Sequence, residues 1–297
     1  MKLSKLFAVL CAAALTGCSS VSESVNNIIE NDANIGKNAP AVGITLTEIT
    51  EAEVTETETS VSQKSKSEKY AERADELLSE MSADEKIGQL LLARMPANAA
   101  QVISEYNFGG YTMYADDFKN ASPESVTALT AEISSSVTIA PFIAVDEEGG
   151  TVVRVSKYTA FRDEPFSSPQ VLYGRGGAEL LEIDAKEKAE LLTSLGINLN
   201  LAPVADISED ENSYIYPRTM GQDPEHTAEA VAAIVSASAD RKLASCLKHF
   251  PGHGDTAGDS HTGAAQTDRT KEEMEAEEFL PFQSGIEAVS YTHLRAH

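Results

Sequence analysis

Leu243-Ala244-Ser245-Cys246-Leu247-Lys248-His249-Phe250-Pro251-Gly252-His253-Gly254-Asp255-Thr256 passes in one step from an apolar run to a crowd of ionisable groups, and Asp259-Ser260-His261 extends it. The first five residues are short, apolar and bounded by polar neighbours, the pattern of a buried strand. A cation, three imidazoles and two carboxylates therefore gather in the loop past one strand's carboxyl end. In α/β folds that is where active sites are built.

A metal site is one reading of this loop, since His249 and His253 are four residues apart and His261 could add a third ligand. Pro251 and Gly252 stand between the first two, and neither suits the helix that such a pair needs. Three unrelated structural histidines are a second reading. An organised loop holding a polar substrate, without metal or other cofactor, accounts for more of the residues.

Outward from this stretch, short apolar runs alternate with longer amphipathic ones. The runs are Gly110-Tyr111-Thr112-Met113-Tyr114, Phe142-Ile143-Ala144-Val145 and Ile197-Asn198-Leu199-Asn200-Leu201-Ala202-Pro203-Val204, then residues 243–247. Helical periodicity covers residues 70–78, 122–135, 178–195, 224–242 and 271–286, and Ser82-Ala83-Asp84-Glu85 is a capping box opening a helix over 86–92. Strand–helix alternation with right-handed crossovers means a parallel sheet. A doubly wound sheet and a (β/α)8 TIM-type barrel both satisfy that. Val145 runs into Asp146-Glu147-Glu148-Gly149-Gly150, Val204 into Ala205-Asp206, and Leu247 into Lys248-His249. Polar groups at several successive strand ends suit a barrel mouth better than a single switch-point crevice. No GxGxxG or Walker loop follows any strand, so a nucleotide site has no support.

The 297 residues suffice for one large domain or two small ones, and the formal net charge of −24 repels nucleic acid. Lys2 and Lys5 precede an apolar run over 6–15, too short for a permanent membrane span. It ends in Leu15-Thr16-Gly17-Cys18, which resembles a bacterial lipobox. That implies a signal peptide over 1–17, lipidation of Cys18, and an extracytoplasmic protein tethered to the cell membrane by acyl chains. A plain signal peptide is the alternative. Residues 18–67 are rich in Ser, Thr, Glu and Asn and too poor in apolar groups to offset the entropy of ordering, so they read as a linker. A short strand over 41–44 is the alternative there. Of the three cysteines, Cys11 leaves with the signal, Cys18 carries lipid, and Cys246 lies in an apolar strand, so no disulfide framework is possible.

Several segments resemble, in order, the β-N-acetylhexosaminidase branch of glycoside hydrolase family 3. They are Met81-Ser82-Ala83-Asp84-Glu85-Lys86-Ile87-Gly88-Gln89-Leu90, Gly109-Gly110-Tyr111-Thr112-Met113-Tyr114 and Ala144-Val145-Asp146-Glu147-Glu148-Gly149-Gly150. Asn198-Leu199-Asn200-Leu201-Ala202-Pro203-Val204-Ala205-Asp206 and Arg218-Thr219-Met220-Gly221-Gln222-Asp223-Pro224 follow, and the 248–261 run completes the set. The resemblance implies a barrel over 68–289 and a retaining exo-enzyme that removes terminal β-linked N-acetylglucosamine, with peptidoglycan fragments as a source. It implies that Asp146, Arg154, Arg218, Lys248 and His249 grip the sugar. It also implies that His261 is the general acid/base, with Asp259 as its partner. The chemistry is sensible: a histidine's reference pKa of about 6.5 serves proton transfer near neutrality without the burial a carboxylic acid needs.

Two departures stand out. Thr151 replaces the arginine that usually follows Glu-Gly-Gly, which implies altered subsite contacts. The family's nucleophilic aspartate belongs to a later Ser-Asp-Asp-like strand end, and nothing after His261 offers it, since Asp268 precedes a helix. Residues 290–297, Ser290-Tyr291-Thr292-His293-Leu294-Arg295-Ala296-His297, have no strand character and resemble translated adapter sequence, so they read as a non-native tail. On this reading the barrel is C-terminally truncated, with about five of eight strands. An open parallel sheet exposes an apolar edge, which predicts instability or aggregation and no turnover. A glycoside phosphorylase with the same His–Asp pair and an inactive glycan-binding lipoprotein are the alternatives.

Overall fold

The computed structural model describes residues 66–208, 210–254 and 266–288, with the backbone of 292–295. Cys18, the signal and linker segments before residue 66, Asp259 and His261 lie outside the described residues.

Six strands run in chain order in one parallel sheet: β1 (Leu92–Arg94), β2 (Gly110–Met113), β3 (Phe142–Val145), β4 (Leu199–Asn200), β5 (Ala244–Phe250) and β6 (Thr292–Arg295). Helices fill the crossovers: α1 (Lys66–Glu80) and α2 (Ala83–Gly88) precede β1, and α3 (Ala99–Tyr106) leads to β2. Then come α4 (Ala115–Phe118), α5 (Pro123–Ser135), α6 (Pro169–Ser194), α7 (Pro224–Asp240), α8 (Lys271–Ala276) and α9 (Phe279–Glu287). Consecutive strands pairing as neighbours is the order of a (β/α)8 barrel wall; a doubly wound sheet would reverse direction part-way. The described strands form an open arc of that wall.

Local signals explain most of the helix starts. Ser82 and Glu85 cap each other at α2, Asp223 caps α7 with Pro224 in its first turn, and Thr270 and Glu273 repeat the capping box at α8. The expected helix over 178–195 is the second part of α6, which Gly176 and Gly177 interrupt with non-helical backbone. The helix read over 271–286 is two, parted at Glu277 and Glu278.

Two strands escaped the sequence reading. The helix read over 86–92 ends at Gly88, where a side chain would strike the Tyr106 carbonyl oxygen, and the chain turns into β1. Three residues are too few to show a strand period. The reading of 290–297 as lacking strand character is likewise corrected: β6 pairs parallel to β5, with Cys246 opposite Thr292 and Leu247 opposite His293. The open backbone groups of β5 accept a neighbour whatever its side-chain pattern. With β6 the described sheet has six strands, an open part of an eight-stranded wall as expected of a truncated barrel.

Side chains alternate across the sheet. Ile143 and Val145 of β3 pack outward with Ile103, Ile133 and Leu192 of the helices. Ala144 faces inward with Leu199, Leu201, Ala244 and Cys246. Leu247 packs outward with Val231 and Phe282. Each such buried aliphatic contributes about 1.5–3 kcal/mol. Ile87, Leu90, Leu91 and Leu92 remain exposed in and beside the edge strand β1, the apolar edge expected of an open wall.

Candidate active site

Period-two alternation carries the inward face past the strand ends. After Ala244 and Cys246 the next inward position is Lys248, and after Ala144 it is Asp146. β3 and β5 are alternate strands, and alternate strands contribute to the same layers of a barrel interior. Lys248 and Asp146 meet there: Nζ lies 2.6 Å from Asp146 Oδ1. It also lies 2.6 Å from Glu148 Oε1, and the Lys248 and Glu148 side chains are each only 2% exposed.

Arg218, delivered by the 3-10 turn Tyr216–Arg218, grips the same Glu148 in a two-point fork, with Nε to Oε2 at 2.9 Å and Nη2 to Oε1 at 2.7 Å. Burial alone would raise the Glu148 carboxyl, but Lys248 and Arg218 outweigh it and hold the pKa down to about 2. The Lys248 ammonium is shifted oppositely: burial lowers it, Glu148 and Asp146 raise it, and the net direction is up. Both members of the pair are thus charged around neutrality.

Arg218 Nη2 also lies 3.2 Å from His249 Nε2, and His249 Nδ1 lies 2.7 Å from Asp206 Oδ2. Asp206 follows Val204, which bridges in parallel to Lys248. Its carboxylate, fully buried, accepts the backbone N–H groups of His249 and His253 as well. The result is one chain of charge-assisted hydrogen bonds across three strand ends, from Asp206 through His249, Arg218, Glu148 and Lys248 to Asp146.

A second assembly supports the end of β3. Asn200 accepts from the Glu147 N–H and donates to the Glu147 carbonyl, clamping β4 to β3. The Glu147 carboxylate accepts the backbone N–H groups of Arg154, Val155 and Ser156 and the Ser156 hydroxyl. Gly149 and Gly150 both take positive φ, which lets the chain double back so that 154–156 reach Glu147.

Of the five sugar-gripping positions expected from sequence, four converge here: Asp146, Arg218, Lys248 and His249. Arg154 is tied by its backbone to Glu147, but its side chain has no hydrogen bond or ion pair with the other four among the described residues, and its buried Nε has no partner there. Glu148, Asp206 and Glu147 carry as much of the geometry, although sequence reasoning gave them no role. The signal was present for Asp206 and Glu148, both carboxylates just past a strand end. Cys246 is inert, with burial pushing its thiol up to about 12. Among the described residues no group of three or more His, Cys, Asp or Glu side chains is placed to hold a metal ion.

Residues 82–297 match the family described as glycosyl hydrolase family 3 N terminal domain. The chain belongs to glycosyl hydrolase family 3. Among its family 3 relatives it is 32% identical over 201 residues to a beta-hexosaminidase A of Pseudoalteromonas piscicida, covering 66% of this chain and 34% of that one. It is also 32% identical over 210 residues to a beta-hexosaminidase of Neisseria gonorrhoeae, covering 68% and 57%. The NagZ structure from Neisseria gonorrhoeae in complex with N-trifluoroacetyl-D-glucosamine superposes with a TM-score of 0.61 at 28% identity, over 70% of this chain and 63% of that one. The chain thus spans between about a third and three fifths of the length of these relatives. Family 3 membership makes the fold a TIM-barrel wall, in agreement with the strand order.

Proposed function

We propose that this chain supplies the sugar grip and the acid/base arm of a retaining exo-β-N-acetylhexosaminidase acting on terminal β-linked N-acetylglucosamine, peptidoglycan fragments included. The observation that carries the reading is the pairing of Asp146, 18% exposed, with the buried Lys248 ammonium at the mouth of the wall. A sugar hydroxyl is both donor and acceptor, so it can donate to the carboxylate and accept from the ammonium at once. The charges favour such a ligand. Lys248 and Arg218 are outnumbered by Asp146, Glu148 and Asp206, so this cluster suits a neutral polyol better than an anion. The named relatives and the ligand in the neighbouring structure point the same way.

His261 is the proposed general acid/base, held by Asp259, in the stretch of sequence that follows the gripping residues Lys248 and His249. In a retaining mechanism the acid protonates the leaving oxygen while a carboxylate attacks the anomeric carbon from the other face. That nucleophile is assigned to no residue here, since Asp268, the one aspartate after His261, precedes α8.

Calorimetric titration with N-acetylglucosamine and with glucose tests the reading. Saturable binding of the first, weakened at least about tenfold by Asp146→Ala (about 1.4 kcal/mol), is expected. Equal affinity for both sugars, or no effect of the substitution, contradicts it. In a protein that carries this domain and turns over p-nitrophenyl-N-acetylglucosaminide, His261→Ala should abolish turnover and spare binding. The lipobox-like Leu15-Thr16-Gly17-Cys18 supports anchoring at Cys18 outside the cytoplasm, and retention of Cys18→Ser in the membrane fraction would overturn that.

A further inference from the structure

Asp206 is fully buried, comes from a different strand end than the residues it holds, and has no part in the sugar grip proposed above. Its partners identify its task. A guanidinium has only donors, so the 3.2 Å contact between Arg218 Nη2 and His249 Nε2 requires a lone pair on Nε2. The proton of a neutral ring then sits on Nδ1, and the group facing Nδ1 at 2.7 Å is the Asp206 carboxylate, an acceptor. The two contacts independently select the same tautomer.

We propose that Asp206 is a positioning residue that locks His249 as the neutral Nδ1–H tautomer and so leaves Nε2 free to accept from Arg218, the cation that forks onto Glu148. With Nε2 as acceptor, Arg218 can lean on the ring with one nitrogen while forking onto Glu148. With the proton on Nε2, two donors would oppose each other at 3.2 Å and Arg218 would lose that support. The same carboxylate fixes where the ring stands. It accepts the His249 N–H at 3.1 Å and the His253 N–H at 2.7 Å, which ties both ends of the turn after β5 to the end of β4. Gly254 then passes so close to the Ile207 carbonyl that a Cβ would collide with it, so this turn and the residues after Asp206 form one packed unit.

Asparagine is the discriminating substitution. It keeps the size of Asp206 but turns one of its two acceptor positions into a donor. One oxygen cannot serve both backbone N–H groups and Nδ1–H, so the amide nitrogen falls opposite Nδ1 and drives the proton to Nε2.

The inference rests on the sugar-site reading for its affinity arm alone; the tautomer arm stands without it. Ring 15N–1H correlation spectra of histidine-labelled protein near neutral pH, with the His249 signals assigned by their loss in His249→Gln, report the tautomer directly. The expected result is Nδ1–H in the unmodified protein and Nε2–H in Asp206→Asn. N-acetylglucosamine affinity should fall at least about tenfold in the variant, with Asp146 and Lys248 untouched. An Nε2–H or imidazolium His249 in the unmodified protein overturns the proposal, and this arm decides even where the variant does not fold. A folded Asp206→Asn with unchanged tautomer or unchanged affinity overturns it as well. If the unmodified protein shows Nδ1–H but binds no sugar, the site reading fails and the positioning role stands.

Discussion

Lys248 and Asp146, 102 residues apart in the chain, meet with 2.6 Å between ammonium and carboxylate because alternate strands of the wall point both inward. The ammonium is shared with Glu148, so its removal leaves Asp146 without its counter-ion and Glu148 with Arg218 alone, at a site nearly closed to water. Breaking a buried pair from one side costs about 3–5 kcal/mol. Lys248→Met should lower stability by that order in urea denaturation. Asp146→Asn should cost clearly less, since Lys248 keeps Glu148.

Acid should weaken the same cluster. The Glu148 pKa is depressed from 4.5 to about 2 in the folded protein, so its contribution is fully present above 4.5 and disappears as pH falls through about 2. The contribution is on the order of 3 kcal/mol. Chemical denaturation at stepwise lower pH should show this loss between about 4.5 and 2. Glu148→Gln should flatten the dependence in that window; an unchanged slope would remove Glu148 as its source.

Arg218→Lys should behave almost as badly as Arg218→Ala in N-acetylglucosamine binding. A point ammonium can replace one contact to Glu148 but cannot fork onto both oxygens and reach His249 Nε2 as well. Calorimetry on the two variants checks this, and lysine restoring near-native affinity would show that charge alone matters there.

The exposed side chains of Ile87, Leu90, Leu91 and Leu92 beside β1 predict concentration-dependent self-association of the chain. Sedimentation velocity should show larger species growing with concentration, and Leu91→Lys with Leu92→Lys should reduce them.

How much of this was legible in sequence follows from the physics of each element. The strand ends at Val145 and Leu247 could be read because apolar runs break abruptly into charge, and four of the five expected grip residues converge. β1 was lost because three residues carry no period, and β6 because nothing in the sequence of 292–295 was read as a strand pattern, although the backbone there pairs with β5. Glu148 and Asp206 were visible as strand-end carboxylates, but their roles depend on which cations and imidazole the fold brings within 3 Å. Those partners lie tens of residues away, at Arg218, Lys248 and His249. Arg154 shows the converse: its place in the sequence pattern suggested a shared site, yet its side chain is not tied to the other four among the described residues.

A crystal structure obtained with saturating N-acetylglucosamine tests most directly whether the strand-end cluster grips a terminal N-acetylglucosamine, as proposed. Sugar hydroxyls are expected within about 3 Å of Asp146, Lys248 and Arg218, with the anomeric carbon turned toward His261. A sugar bound elsewhere, or an unoccupied mouth at saturation, would contradict the proposed grip.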